Sequence, residues 1–367
     1  MKRKIPDTRA YPAPLLKPAM RHNRTMPPTP DQPSTPNSSS SDNDSEFNAH
    51  THDGATAKTP EPTSDGRASS QRTHPRAVTA HDWLEAARPH TWANGFAPVI
   101  AGTGAAALTG QASIIRAILA AIVGWFLVIG VNYANDYSDG IRGTDDDRSG
   151  PFRLTASGLV QPYGVKHAAF VAFGVAGLAG LALCAISGHW WLILVGAACV
   201  VAAWFYTGGK HPYGYHGLGE VAVFVFFGLV AVLGTHYTQA DHVTWAGIVI
   251  AVAIGSVSAA VNLANNLRDI PSDEATGKIT LAVRLGDRGS RTLWCILVAM
   301  PVAASILLAI IATPWALIGL VAAPVLGLAA RPIVSHAEGK DLIPVLGMTG
   351  RAMVVWALVT TLALWLG

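Results

Sequence analysis

The chain has 367 residues, of which 50% are hydrophobic and only 13% are charged. Soluble domains carry about 25% charged residues, so this composition favours an integral membrane protein. The formal net charge of +3 is too small to indicate a protein that binds nucleic acid. All three cysteines lie inside apolar runs, and we expect them to be core residues, not disulfide or metal ligands.

The first 80 residues differ in composition from the rest. They are rich in Pro, Ser, Thr and Asp and have little apolar surface to bury, which predicts a disordered N-terminal tail over 1–80. Residues 81–367 alternate long apolar runs with short polar loops and predict an all-α membrane domain. About nine transmembrane helices are expected, at residues 92–109, 114–135, 165–187, 190–207, 218–238, 244–267, 292–312, 315–331 and 349–366.

Basic residues are distributed unevenly between the loops. The loops after the second, fourth, sixth and eighth predicted spans contain ten of the 15 Lys and Arg residues of 81–367, whereas the loop TQADHVT on the other side contains none. Arg116, at the start of the second span, is the exception. Because basic loops stay in the cytoplasm, we expect these loops and the N-terminus to be cytoplasmic. The predicted location is the plasma membrane, with a lipid bilayer around the apolar spans.

The second span ends in a cluster of amides and acids, NYANDYSDGIRGTDDD. On a helix, Asn132, Asp136 and Asp139 are spaced i, i+4 and i+7 and share one face. Carboxylates on one face repel each other unless a cation lies between them, and hard oxygen ligands favour Mg²⁺ or Ca²⁺. The pattern therefore indicates a cation site, whereas a polar helix end leading into a solvated loop is the plainer alternative.

A second cluster, NLANNLRDIPSD, ends the sixth span. Aligned without gaps, Asn262 matches Asn132 and Asp269 matches Asp139, which indicates a tandem repeat of four spans. Both clusters end on the predicted cytoplasmic side and are expected to form one shared site. Because proline disfavours helix at the preceding residue, we expect Asp273, two residues after Pro271, to start a loop.

Basic residues lie between the acids of both clusters. Acids alone would indicate a cation site, whereas acids with Lys and Arg indicate a diphosphate held through Mg²⁺. Tyr206 and Lys210 are spaced i, i+4 at the end of the fourth span, with two glycines between them that allow a ligand to approach closely. The alternative is an interfacial tyrosine and a lysine that extends to the membrane surface. The basic candidates near the acids are Arg142, Arg153, Lys278 and Arg284.

These motifs resemble those of the UbiA superfamily of intramembrane prenyltransferases. The first aspartate-rich motif of that superfamily, N-D-x-x-D-x-x-x-D, is matched except at its third acid, where Gly143 stands and Asp145 is the nearest substitute. The second motif, D-x-x-x-D, and the motif Y-x-x-x-K are matched throughout. The matching residues are Asn135, Asp136, Asp139, Asp269, Asp273, Tyr206 and Lys210.

Within this superfamily, residues 82–367 resemble the 1,4-dihydroxy-2-naphthoate polyprenyltransferases of menaquinone synthesis. The segments that carry this likeness are RPHTW, GPFRL and NNLRDIPSDEATGKITLAVRLG. The resemblance implies a Mg²⁺-dependent transfer of a polyprenyl group from polyprenyl diphosphate to 1,4-dihydroxy-2-naphthoate. Decarboxylation accompanies the transfer, and the product is demethylmenaquinone.

The resemblance also implies residue roles. Four aspartates, Asp136, Asp139, Asp269 and Asp273, would hold Mg²⁺. Neutral oxygens and bases would bind the substrate, and some of these bases would stabilise the charge that grows on the diphosphate. These supporting residues are Asn132, Asn266, Arg142, Arg153, Lys210, Lys278, Arg284 and Tyr206.

Two other functions fit part of the pattern. One is a member of the same superfamily with another acceptor, such as 4-hydroxybenzoate. The other is a cation-coupled transporter that uses the acids as ion sites. Transporter sites usually lie near mid-membrane at broken helices, whereas these acids lie at one face beside basic residues.

Overall fold

The computed structural model describes residues 76–143 and 152–367, and helices form all the regular elements within these ranges. Most of the predicted tail over 1–80 and the loop acids Asp145, Asp146 and Asp147 lie outside the described residues. The helices are α1 Ala80–Ala86, α2 Ala93–Ala107, α3 Ile114–Gly140, α4 Pro162–Ser187, α5 Leu192–Phe205, α6 Gly219–Ala240, α7 Trp245–Arg268, α8 Ile270–Ala275, α9 Leu281–Ile311, α10 Pro314–Val334 and α11 Ile343–Leu366.

Seven of these helices, α3, α4, α6, α7, α9, α10 and α11, are long and apolar enough to cross a membrane. The all-α membrane class predicted from the sequence is therefore confirmed. Each of the nine predicted spans coincides with a helix, but α2 has 15 residues and α5 has 14. Because a bilayer needs about 20 residues, the count of nine spans stays a prediction.

Helix α7 lies at the centre of the bundle. Within its most apolar stretch, 78% of the residues are buried, whereas apolar side chains on the outer helices such as Leu194 and Ile310 are 74% and 77% exposed. Small residues let α6 approach α7 closely, since a Cβ added to Gly228 would lie 2.6 Å from the Cα of Gly255. Close backbone approach through small residues is typical of helix packing in membranes.

Arg291 ties α9 to the end of α10. Arg291 is 6% exposed, and its guanidinium donates to the carbonyl oxygens of Ile333 (2.8 Å) and Ala337 (2.8 Å). It also pairs with Asp287 at 2.7 Å. These contacts satisfy carbonyl groups that the end of α10 would otherwise leave unpaired.

We expect Arg291→Ala to lower the free energy of unfolding by about 2 to 4 kcal/mol, because several buried hydrogen bonds to a charged group are lost together. Thermal unfolding in detergent micelles measures the change. Arg288→Ala, at an exposed position of the same helix, is the matched control. An equal loss in both variants would contradict a specific role for Arg291.

Candidate active site

The last turns of α3 form one wall of a small polar cavity, and Asn135 and Asp139 line it. Asp136 lies to one side of this wall and is fully buried. Its two carboxylate oxygens accept hydrogen bonds from the backbone N–H groups of Leu154 (2.8 Å) and Thr155 (2.9 Å). The wall is therefore built from Asn135 and Asp139, whereas the sequence spacing had placed Asp136 in it.

Asn132 lies one turn deeper on α3 and lines a second, larger cavity. Its Nδ2 donates to the carbonyl oxygen of Ala87 (3.0 Å) and to Oγ1 of Thr91 (3.0 Å). Asn132 thus ties α3 to the segment between α1 and α2. That segment includes Arg88, which lines both cavities.

Asp139 has both a hydrogen-bond donor and an ion-pair partner. The hydroxyl of Tyr215 donates to Oδ1 at 2.7 Å, and Nη2 of Arg153 lies 3.5 Å from Oδ2. The side chains of Arg153 and Asp139 are each 7% exposed. The sequence had indicated no role for Tyr215, because a tyrosine in a loop near a membrane surface is common.

The end of α7 forms the opposite wall with three amides, Asn262, Asn265 and Asn266. Asn262 and Asn266 donate through Nδ2 to Oε1 of Glu220, at 3.2 Å and 2.7 Å. Glu220 lies in the first turn of α6 and is 4% exposed. The two asparagines are one turn apart, so a single carboxylate oxygen binds both.

The short helix α8 carries the second acid motif. Asp269 forms two hydrogen bonds with Arg268, at 2.7 Å and 2.8 Å. The prediction that Asp273 starts a loop is wrong: its N–H donates to the carbonyl oxygen of Asp269 at 2.8 Å, one helical turn away. Pro271 lies in the first turn of α8, where N–H groups have no partner within the helix. The N–H that proline lacks therefore costs no hydrogen bond.

Lys278 and Arg142 both lie near the ring of Tyr215. The Nζ of Lys278 is 3.1 Å from Asp273 Oδ1 and 5.6 Å from the centre of the Tyr215 ring. The guanidinium of Arg142 is 5.4 Å from the centre of the same ring and donates to the carbonyl oxygens of Thr207 and Gly209. Cation–π contacts of this kind orient basic side chains without neutralising their charge.

The loop after α5 brings only some of its predicted residues into the site. Tyr206 lines both cavities and its hydroxyl donates to Asn262 Oδ1 at 3.4 Å. Burial raises the pKa of Tyr213 to about 12, so its phenol stays protonated and donates to a carbonyl oxygen of α5. Lys210 and Arg284 are exposed, and neither is among the described residues that line the two cavities.

The two cavities adjoin each other. The polar one has a volume of about 60 Å³ and the larger one about 320 Å³. Apolar side chains line most of the larger cavity, among them Phe226 and Phe227 from the π-helical segment of α6. The residues that belong to both cavities are Arg88, Asn135, Tyr206, Asn262 and Asn265.

Among the described residues that line the polar cavity, positive side chains outnumber negative ones. They are Arg88, Arg153 and Lys278, against the single carboxylate of Asp139. Among residues 76–143 and 152–367, no three His, Cys, Asp or Glu side chains are grouped so that they could hold a metal ion by themselves. Such a cavity suits an anion with several oxygens, such as a diphosphate.

A cation-lined cavity beside an apolar chamber, both inside a helical membrane bundle, defines a site for an amphiphile with an anionic head. The profile of the UbiA prenyltransferase family matches residues 95–342. The chain belongs to this family.

Relatives and solved structures extend this result. The chain is 56% identical over 285 residues to a 1,4-dihydroxy-2-naphthoate octaprenyltransferase of Mycobacterium tuberculosis, which covers 78% of this chain and 97% of that protein. It is 37% identical over 292 residues to the enzyme of the same name from Escherichia coli, with 77% and 95% covered. A UbiA homolog from Archaeoglobus fulgidus, solved bound to DMAPP and Mg²⁺, has a TM-score of 0.53 at 14% identity and covers 76% of this chain and 99% of its own. This last likeness supports the fold.

Proposed function

We propose that the protein transfers a polyprenyl group from polyprenyl diphosphate to 1,4-dihydroxy-2-naphthoate in menaquinone biosynthesis. The bond between the allylic carbon and the diphosphate oxygen breaks, and diphosphate leaves. A carbon–carbon bond forms to the naphthalene ring, and the carboxylate leaves as CO₂. The product is the diol form of demethylmenaquinone, and the atoms and charges balance without a redox partner.

The observation that carries this proposal is the junction of the two cavities. A polyprenyl diphosphate has an anionic head and a long apolar tail, and the cation-lined cavity shares five lining residues with the apolar chamber. The relatives that are 56% and 37% identical along nearly their whole length bear the name of this activity. A cation-coupled transporter finds no support in this family.

The donor set fits Mg²⁺ that binds together with a diphosphate. Magnesium sites of this kind usually use one or two carboxylates and complete their shell with phosphate oxygens and water. Asp139 supplies a carboxylate in the polar cavity, and Asp273 pairs with Lys278, which also lines it. The amide oxygens of Asn135 and Asn266 are further hard donors on residues that line the cavity. When bound, Mg²⁺ would neutralise charge on the leaving diphosphate.

Basic side chains of this chain bind and orient the diphosphate. Lys278 and Arg153 line the polar cavity, and each forms an ion pair with one acid of the site. Such donors stabilise the charge that grows as the C–O bond breaks. Arg142 holds the loop after α5 in place through two backbone carbonyl groups.

The chamber protects the reactive allylic group from water. Phe226 and Phe227, adjacent in sequence, both line it, which the wider turn of the π-helical segment allows. Aromatic faces stabilise a nearby cation. The remaining apolar lining suits the isoprenoid tail and the naphthalene ring.

The orientation predicted from the basic loops completes this proposal. We place α2 and α5 among the membrane spans, which makes nine spans in total. Eight of them form two tandem repeats of four spans each, and the ninth follows these repeats. The polar cavity then lies on the cytoplasmic side of the plasma membrane, where water-soluble 1,4-dihydroxy-2-naphthoate reaches it. The variants Lys210→Cys and Asp241→Cys, at opposite ends of the proposed bundle, test this orientation. The labelling of each introduced cysteine by a membrane-impermeant thiol reagent is measured in intact cells.

Product analysis tests the activity. Purified protein is incubated with Mg²⁺, octaprenyl diphosphate and 1,4-dihydroxy-2-naphthoate, and the prenylated diol and CO₂ are measured by mass spectrometry and carboxyl-label release. We expect turnover that chelation of Mg²⁺ abolishes. A parallel reaction with 4-hydroxybenzoate tests whether the protein instead uses the acceptor of another family member. Faster turnover with 4-hydroxybenzoate than with the naphthoate would contradict the proposal.

We further propose that residues 81–367 carry the whole activity. The family profile matches residues 95–342, which lie within this part of the chain. Deleting residues 1–75 is therefore expected to leave turnover per folded molecule within about twofold of the full chain, as measured in detergent with membrane insertion checked separately. Loss of most turnover in a normally inserted variant would show that the N-terminal segment takes part.

A further inference from the structure

Glu220 is a buried acid whose position is not explained by packing alone. It is 4% exposed, and only one of its carboxylate oxygens, Oε1, binds the two amides of α7. The other oxygen, Oε2, has no hydrogen-bond partner among the described residues. An unsatisfied buried carboxylate oxygen destabilises the folded state, so its presence indicates a role in the site.

The amides that Glu220 binds have two chemically different ends. An asparagine side chain donates through Nδ2 and accepts through Oδ1, whereas a carboxyl oxygen that carries no hydrogen only accepts. Asn262 and Asn266 therefore turn their NH₂ groups toward Glu220. The Oδ1 of Asn262 then accepts from Tyr206, and the Oδ1 of Asn266 is directed away from Glu220 in a side chain that lines the polar cavity.

We propose that Glu220 is a positioning residue that fixes the amide orientations of Asn262 and Asn266, so that carbonyl oxygens and not NH₂ groups face the head-group site. This inference rests on the proposed function. A rotated Asn266 amide would present donors where a Mg²⁺–diphosphate needs hard oxygen ligands. Glu220 itself acts through these two side chains.

Two substitutions separate orientation from charge. Glu220→Gln keeps a carbonyl oxygen that accepts from both amides, whereas Glu220→Leu removes every acceptor and leaves the amides free to rotate. Gln239→Leu is the matched control. Gln239, at the other end of α6, is 3% exposed and also bridges helices through its amide, bonding Ser113 and Thr103.

The measurements are kcat and KM for each substrate and the binding of Mn²⁺, followed by electron paramagnetic resonance, with unreactive geranyl thiodiphosphate present. For Glu220→Leu we expect kcat/KM for the prenyl diphosphate and Mn²⁺ affinity to fall by about 10- to 100-fold. The KM for the naphthoate should change by less than about threefold. Glu220→Gln and Gln239→Leu should stay within about threefold of the parent protein per folded molecule.

A rescue experiment covers the case in which Glu220→Leu does not fold. Asn266→Asp places a second acid against Glu220, and we expect a loss of at least about tenfold in kcat/KM. Adding Glu220→Gln restores a donor–acceptor pair and should recover most of that loss. Failure of the rescue, or equal damage from Glu220→Gln and Glu220→Leu, would overturn the positioning role. An inactive parent protein would instead contradict the proposed function, and the Mn²⁺ titration distinguishes the two failures.

Discussion

Asp139→Asn is expected to lower kcat by about 10²- to 10³-fold while the protein stays folded. Asp139 is the only carboxylate among the described residues that line the polar cavity. The substitution preserves the shape of the side chain and an oxygen that can accept from Tyr215. It removes the charge that would attract Mg²⁺ and balance Arg153. Contacts that stabilise the charge growing on a leaving diphosphate change kcat by about 10²- to 10³-fold.

The assay is turnover at saturating polyprenyl diphosphate and naphthoate, with Mg²⁺ varied. Asp241→Asn is the control, because this acid lies at the other end of α6 and its side chain is 66% exposed. We expect the control to retain normal turnover. If both variants lost activity equally, the loss would reflect insertion or folding, and Asp139 would have no specific role.

Asp136 provides a second comparison, because its carboxylate binds backbone donors in this structure. Replacing it frees the N–H groups of Leu154 and Thr155 inside the protein, so we expect lower folding yield together with lower activity. The spacing i, i+4, i+7 predicted which helix turns hold the acids. The spacing could not predict that Asp136 is the acid bound by the backbone at Leu154. Leu154 is about eighteen residues away in sequence and meets α3 only in the folded bundle.

The helical class and the positions of the seven long apolar helices could be predicted because long apolar runs leave few alternatives. The helix at Asp273 could not be predicted, because a proline is equally compatible with the end of one helix and with the first turn of the next. The same limit applies to Glu220 and Tyr215. Each looks ordinary in the sequence, and its role follows from partners on other helices, such as Asn266 and Asp139.

Basic residues show a further limit of motif spacing. Tyr206 and Lys210 match one motif, yet the structure places the first against both cavities and leaves the second exposed. A role for Lys210 stays a prediction. Lys278 lines the polar cavity and lies 3.1 Å from Asp273, so we propose that Lys278 is the principal lysine at the diphosphate.

Lys278→Ala is therefore expected to lower kcat by about 10²-fold or more, and to affect KM for the prenyl diphosphate less. Lysine would contact the leaving oxygens most strongly in the transition state, when their charge is fully developed, and such contacts act on turnover more than on binding. Lys210→Ala, in the loop after α5 and exposed, is the lysine comparison and should change kcat by less than about threefold. Lys278→Arg tests geometry, because a planar guanidinium does not replace a point ammonium between Asp273 and Tyr215.

The kcat and the KM for the prenyl diphosphate are both measured per folded molecule. A large loss of turnover in Lys210→Ala with normal turnover in Lys278→Ala would reverse the assignment and indicate that the loop after α5 closes over the bound diphosphate.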